Sequence, residues 1–214
     1  YGNSTDGVGN PMAISGGRKP ISYYPIGDYA AFNGSEYLVN NGALQDYVFD
    51  FDGTNNIEAT KLGLTTAISV SAWVKTTTTS ETRIIVNEDD WGSNRNWHLY
   101  IAGSNKVLFR VYGASGQIAF IIRATAGEIT DGNWHHVCAT WDGTTNTNGI
   151  QLSIDNDIET ATATGTGINT DNVDLAIGSA SNSSSTNSLS GTVSNVQIFN
   201  TAIPATGSNS VETL

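Results

Sequence analysis

The chain has 214 residues, 38% of them hydrophobic, and a formal net charge of −11, enough apolar content for one large core and too much for a disordered polymer. Its cations stop at Arg123: residues 124–214 hold no Lys or Arg, against Glu128, Asp131, Asp142, Asp155, Asp157, Glu159, Asp171, Asp174 and Glu212. That distribution argues against nucleic acid, whose phosphates need cations to displace their counterions, and no run approaches the ~20 apolar residues of a membrane-spanning helix.

In chain order, residues 1–20 read as a Gly-rich lead-in punctuated by Pro11 and Pro20, and the abrupt start at Tyr1 reads as a piece of something longer. From Ile21 a single domain, 21–214, is expected. Its strand candidates are 47–51, 55–60, 67–76, 82–87, 96–102, 106–112, 117–123, 134–141, 149–154, 158–164, 173–177 and 190–199. Short strands starting every ~8–12 residues between Gly, Asn, Ser and Asp clusters predict a sandwich or barrel. Only the tail around 208–214, after Pro204, has room for a short helix. The single cysteine, Cys138, lies in an apolar strand and reads as a small buried hydrophobe.

Alternation assigns faces. Ile68, Val70 and Val74 oppose Ser69, Ser71, Trp73 and Lys75; Trp97, Leu99 and Ile101 oppose His98 and Tyr100; Val107, Phe109 and Val111 oppose Leu108, Arg110 and Tyr112. In the next strand Ile118, Phe120 and Ile122 oppose Ala119, Ile121 and Arg123. The first set on each strand is the expected core between two sheets, and the second an outer face that is aromatic, basic and hydroxyl-bearing.

Two stretches carry a family likeness. Asp131-Gly-Asn-Trp-His-His-Val-Cys-Ala-Thr-Trp-Asp-Gly143, followed by Ile150-Gln-Leu-Ser-Ile-Asp155, resembles a segment of laminin G-like and pentraxin-like domains. So do Ile68-Ser-Val-Ser-Ala-Trp-Val-Lys75 upstream and Leu175-Ala-Ile-Gly178 with Ser190-Gly-Thr-Val-Ser-Asn-Val-Gln-Ile-Phe-Asn200 downstream. The resemblance runs from about Asp50 to the C-terminus. It implies an all-β fold, an antiparallel two-sheet sandwich of the concanavalin A-like jelly-roll class, which hosts many functions. The lead-in from Ile21 to Asp28 and on to Phe49-Asp-Phe-Asp-Gly53 also resembles jelly-roll modules of marine viral and metagenomic proteins. Such a likeness implies a virion-associated origin.

Within Asp131–Gly143, Asp131-Gly132 reads as a turn feeding a strand, Trp134 as a large anchor, and His135 and His136 as pointing to opposite faces. Glycosidases of this sandwich class set paired carboxylates on one strand. The nearest string, Asp155-Asn-Asp-Ile-Glu159, falls in a hairpin turn that should scatter its acids into solvent. Loop 87–96 is denser in oxygen ligands: Asp89, Asp90 and Asn94 are the candidate calcium ligands. The resemblance puts pentraxin calcium ligands in this region too, but their second group would fall in loop 179–188, which has no carboxylate. Asp52 reads as a backbone-bonding turn residue. Sequons at Asn3, Asn33 and Asn182 read as chance in so Asn/Ser/Thr-rich a chain.

Trp91 looks like the most exposed aromatic, and with Asn94 and Arg95 suits a sugar-binding rim. His98, Tyr100, Arg110 and Tyr112, with Trp73, form a competing platform that segment 21–46 or a neighbouring subunit could cover. The expected function is non-catalytic binding of glycans or cell-surface polysaccharide by a surface or virion protein, extracellular or on the particle, without nucleic acid or membrane insertion. A structural or decoration module that packs on a neighbouring protein is the alternative, and a glycosidase the disfavoured third.

Overall fold

The computed structural model describes residues 22–24, of which only the backbone, and 48–79, 81–181 and 187–203. The lead-in 1–20, the sequons, most of segment 21–46 and the tail after residue 203 lie outside them. Among the described residues thirteen strands are present: β1 Ser22–Tyr24, β2 Phe49–Asp52, β3 Ile57–Ala59, β4 Ile68–Lys75, β5 Arg83–Asp89, β6 Arg95–Ile101, β7 Val107–Gly113, β8 Gly116–Ile122, β9 His135–Trp141, β10 Ile150–Ile154, β11 Asp157–Ala161, β12 Leu175–Ile177 and β13 Ser190–Phe199. Twelve of them fall on the strands expected from the sequence. No helix occurs among the described residues.

The strands form two antiparallel sheets. One runs β1-β13-β4-β9-β10-β11, with β2 also on β13; the other runs β3-β12-β5-β6-β7-β8. Between them Ile68, Val70, Ala72, Val74, Trp97, Leu99, Ile101, Val107, Phe109, Val111 and Trp141 make one continuous core, as a jelly-roll sandwich requires. The turns follow local chemistry. Asp155 and Asn156 both take positive φ, 50° and 71°, and so close the β10–β11 hairpin with the twist a two-residue loop favours.

The alternation holds on β4, β6 and β7 and fails on β8. There the register runs Phe109↔Ile121, Arg110↔Phe120 and Val111↔Ala119, then slips between Val111 and Tyr112. Ile118 is left as the extra residue and still reaches the core with Ala119 and Ile121. Phe120 and Ile122, expected inside, lie on the outer face against Ile84, Tyr100 and Leu108. The bulge adds one residue to one strand, and every side chain beyond it exchanges faces.

Arg123 also departs from expectation. It is buried, and its guanidinium donates to Glu128 Oε2 (3.0 Å) and Oε1 (2.7 Å) and to Asp157 Oδ2 (2.7 Å). Of the Asp155–Glu159 string, Asp155 and Asp157 are exposed as expected, while Glu159 is half-buried and accepts from the Ala124 backbone N–H at 3.0 Å. Two of its acids flank Arg123 where β8 meets β11, and Asp155 accepts from the His136 N–H at 2.8 Å.

Candidate functional site

Loop 90–94, between β5 and β6, places the first elements of the site. Asp90 Oδ1 accepts from the N–H groups of Gly92 (2.8 Å) and Asn94 (3.1 Å), and Oδ2 accepts from Asn94 Nδ2 (2.6 Å). This self-capped turn holds Trp91 at φ 58° and lays its indole over the outer face of the second sheet. Trp91 is therefore half-buried, with ring centroids 5.2 Å from His98 and 5.5 Å from Tyr100.

Around it the alternating strands bring the remaining residues together. The His98 ring meets Tyr100 at 4.6 Å and Tyr112 at 5.6 Å, both edge to face. Arg95 lies 5.7 Å over Trp91 and 5.5 Å over Tyr112, and donates to the Trp91 carbonyl (3.0 Å), the Gly92 carbonyl (3.0 Å) and the Tyr112 hydroxyl (3.1 Å). Arg110 stacks on Tyr100 at 5.8 Å and Phe120 at 5.1 Å. The seven residues expected to bind sugar thus share one end of one sheet face, with Asn94 turned back onto Asp90.

The cluster is closed at its base and open at its rim. His98, Tyr100 and Tyr112 are buried, while Trp91, Arg95, Arg110 and Phe120 stay partly exposed. Beneath it Asp89 is fully buried; Oδ2 lies 2.8 Å from His98 Nδ1, and Oδ1 accepts from the Trp91 N–H at 2.6 Å. A carboxylate neighbour fixes the proton on Nδ1, and burial holds the His98 pKa below its ordinary value. His98 is then neutral, with a bare acceptor at Nε2. That atom is buried and has no partner.

Arg110 sits directly opposite His98 across β6 and β7, and its Nε is likewise buried without a partner. Both nitrogens lie beneath the aromatic rim, out of reach of solvent.

The calcium expectation meets a different geometry. Asp89 is committed to His98 and the Trp91 N–H, and Asp90 and Asn94 to each other. Among the described residues no three His, Cys, Asp or Glu side chains group as a metal ion needs. The loop residues as arranged do not fit calcium, which takes ~6–8 oxygens around one point.

Several single-residue expectations are corrected. Trp73 is on β4, in the other sheet, so it does not join the His98 platform. Trp134 is no buried anchor: it is 37% exposed and Trp73 39%, whereas Trp91, read as the most exposed aromatic, is not among the exposed ones. His136 is buried on an outer face, its Nε2 3.0 Å from Ser71 Oγ, and His135 bridges Asp131 and Asp155 at 2.9 and 2.7 Å. Asp52 is the turn residue expected, accepting from the Thr54 N–H at 2.8 Å. Cys138 is buried and its thiol pushed up to about 12 by burial alone. Phe120 was assigned to the core, and no sequence signal betrays the bulge that turns it outward.

This fold and this sheet face define a jelly-roll module of the lectin-like sandwich class. The chain belongs to the concanavalin A-like lectin/glucanases superfamily, whose family model matches residues 49–206. Among solved structures, the Ruminococcus gnavus IT-sialidase CBM40 bound to alpha2,3 sialyllactose superposes with a TM-score of 0.51 at 11% identity, over 73% of this chain and 92% of that one. The native heptameric SAP-like pentraxin from Limulus polyphemus gives 0.55 at 15% identity, over 77% and 81%. The binding domain of botulinum neurotoxin DC in complex with SialylT gives 0.56 at 13% identity, over 74% of this chain and 40% of that one. A search of curated proteins finds no match.

Proposed function

We propose that the chain is a non-catalytic carbohydrate-binding module that takes a glycan at the Trp91–Arg110 end of the second sheet. The observation that carries this reading is the rim that Trp91, Arg110 and Phe120 form, partly exposed, over the buried rings of His98, Tyr100 and Tyr112. Trp91 offers a face for the C–H side of a sugar ring, and Arg110 a guanidinium that donates no hydrogen bond and faces no acid among the described residues.

An acidic sugar fits best. Arg110 is a cation with no acidic partner among the described residues, in a chain of net charge −11, and its planar fork matches a carboxylate. The sialyllactose and SialylT complexes of two structures with this fold lend the class support. Binding at one shallow site is weak, and display in several copies strengthens it. An extracellular surface or virion is the setting we propose, the second resting on the lead-in alone. A decoration module packed on a neighbouring protein is the competing use of the same face.

The test is a glycan array probed with the multimerised chain, followed by titration calorimetry on sialyllactose and lactose. Sialyllactose is expected to bind more tightly than lactose, and Arg110→Ala to abolish the difference. Failure of every glycan at any valency rejects the reading in favour of the decoration module.

A further inference from the structure

The opposite sheet carries a second surface, and the two sheets differ in charge. The strands of the second sheet hold Arg83, Arg95 and Arg110 against Glu58, Glu88 and Asp89; those of the first hold a single Lys or Arg, Lys75, against Asp50, Asp52, Asp157 and Glu159. Trp73, on the outer side of that first sheet, and Trp134, the residue before β9, are the two exposed large hydrophobics among the described residues, 39% and 37% exposed. Trp73 pairs with His136 across β4 and β9. Trp134 lies one residue before β9 and two before His136; carried on past the strand end, the alternation puts it on the side of His136, diagonally from Trp73. Such diagonal neighbours lie ~7–8 Å apart, within reach of one extended ligand.

What surrounds the indoles decides the occupant. His136 lies 5.3 Å from the Trp73 ring and bonds Ser71. The positions facing Trp73 and Lys75 from β13 are Ser194 and Thr192, and Asp50 faces Thr192 from β2. Asp131 and Asp155 hold the near end of β9 through His135. Two aromatic faces set among hydroxyls and carboxylates are not a contiguous apolar patch of the kind that docks protein. The excess of acid over cation repels a polyanion.

We propose that Trp73 and Trp134 form a second carbohydrate surface, one that takes an uncharged polysaccharide along the β4–β9 ladder. The chain then carries two glycan surfaces of different charge preference on opposite faces. This surface stands on its own residues and does not depend on the Arg110 site.

The test is affinity gel electrophoresis of the full chain in soluble β-glucan, galactomannan and arabinoxylan, with polygalacturonate as the acidic control. Retardation is expected in at least one neutral gel. Trp73→Ala and Trp134→Ala should each weaken it about 5-fold or more, and Trp73→Phe should retain part of it. Arg110→Ala should leave it unchanged while removing the preference for sialyllactose. Three results overturn the proposal: no retardation in any neutral gel, retardation indifferent to Trp73→Ala, or retardation lost with Arg110→Ala. A self-association that Trp73→Ala abolishes, seen in sedimentation, also overturns it and assigns the face to a second copy of this chain.

Discussion

Nδ1 of His98 lies 2.8 Å from Oδ2 of Asp89, and neither side chain is reached by solvent. The contact orients the imidazole so that its other nitrogen faces the ring cluster, and it ties the β5–β6 loop to the site, because Asp89 also accepts from the Trp91 backbone. The Asp89 carboxylate is thus a positioning group for both the rim and the base.

Arg110→Ala should cost a bound acidic sugar about 1.5–3 kcal/mol, the range for a hydrogen bond to a charged group, or about 10-fold to 100-fold in dissociation constant. Thermal stability should move little, since Arg110 makes no hydrogen bond within the described residues. Calorimetry of the variant beside the parent separates the two; equal affinities would remove Arg110 from the site.

Stability should fall on acidification through the ordinary histidine range. The pKa of His98 is lowered, chiefly by burial, with Asp89 acting the other way and Arg110 and Arg95 adding to the lowering. Tyr100 and Tyr112 complete its surroundings. Below the unfolded value of ~6.5 the unfolded chain takes up a proton that the folded site resists, so stability is present above that value and lost as pH falls. His135 has the opposite sign: its pKa is raised by its bonds to Asp131 and Asp155 against a burial effect that lowers it. Its contribution is therefore held at low pH and lost as pH rises. Urea melts between pH 5 and 8 should show His98→Gln flattening the acid-side loss and His135→Gln steepening it.

Arg123→Met should destabilise the fold by about 3 kcal/mol, because a buried cation is removed while Glu128 and the two β11 acids lose their partner. The side-chain partners of Arg123 are Glu128, Asp157 and Glu159 and include no rim residue, so glycan affinity should hold. A denaturant midpoint unchanged from the parent would demote the cluster to surface decoration.

Gly178→Ala is a backbone test. Gly178 has φ +85°, and an added Cβ would run into the Phe51 ring. Strain and overpacking together should cost about 2–4 kcal/mol, whereas Gly63→Ala, at φ +66° with open space around it, should cost about 1 kcal/mol. Comparable losses at both positions would mean that packing against Phe51 contributes nothing.

Glycan binding should survive a chelator. The oxygens of Asp89, Asp90 and Asn94 already hold His98, the Trp91 and Gly92 backbone and one another, and calcium would have to displace those bonds. Calorimetry with and without EDTA settles this, with a lost signal restoring the loop as a metal site.

Much of this molecule is legible in its residue order. The alternation in Trp97-His98-Leu99-Tyr100 separates core from outer face because a strand has only two sides. Asp155-Asn156 declares its hairpin because Asp and Asn tolerate positive φ. Six of the seven expected sugar-binding residues meet in one cluster, since neighbouring strands in register bring like-parity side chains together. Phe120 was misassigned because Ile118-Ala-Phe-Ile-Ile122 is apolar at both parities, so nothing local marks the slipped register. Trp73 and His98 share a parity but not a sheet, and parity carries no label for which sheet a strand joins.

Sequence by itself determined the strands, the sandwich and, on β4, β6 and β7, which side chains turn from the core, all consequences of local geometry repeating every two residues. Tertiary structure alone decided that Trp91 folds down onto His98, that Arg110 meets no acid among the described residues, and that Trp73 belongs to the other sheet. Those outcomes depend on which strands become neighbours and where a bulge shifts them, and such long-range pairing leaves no mark in the spacing of residues along the chain.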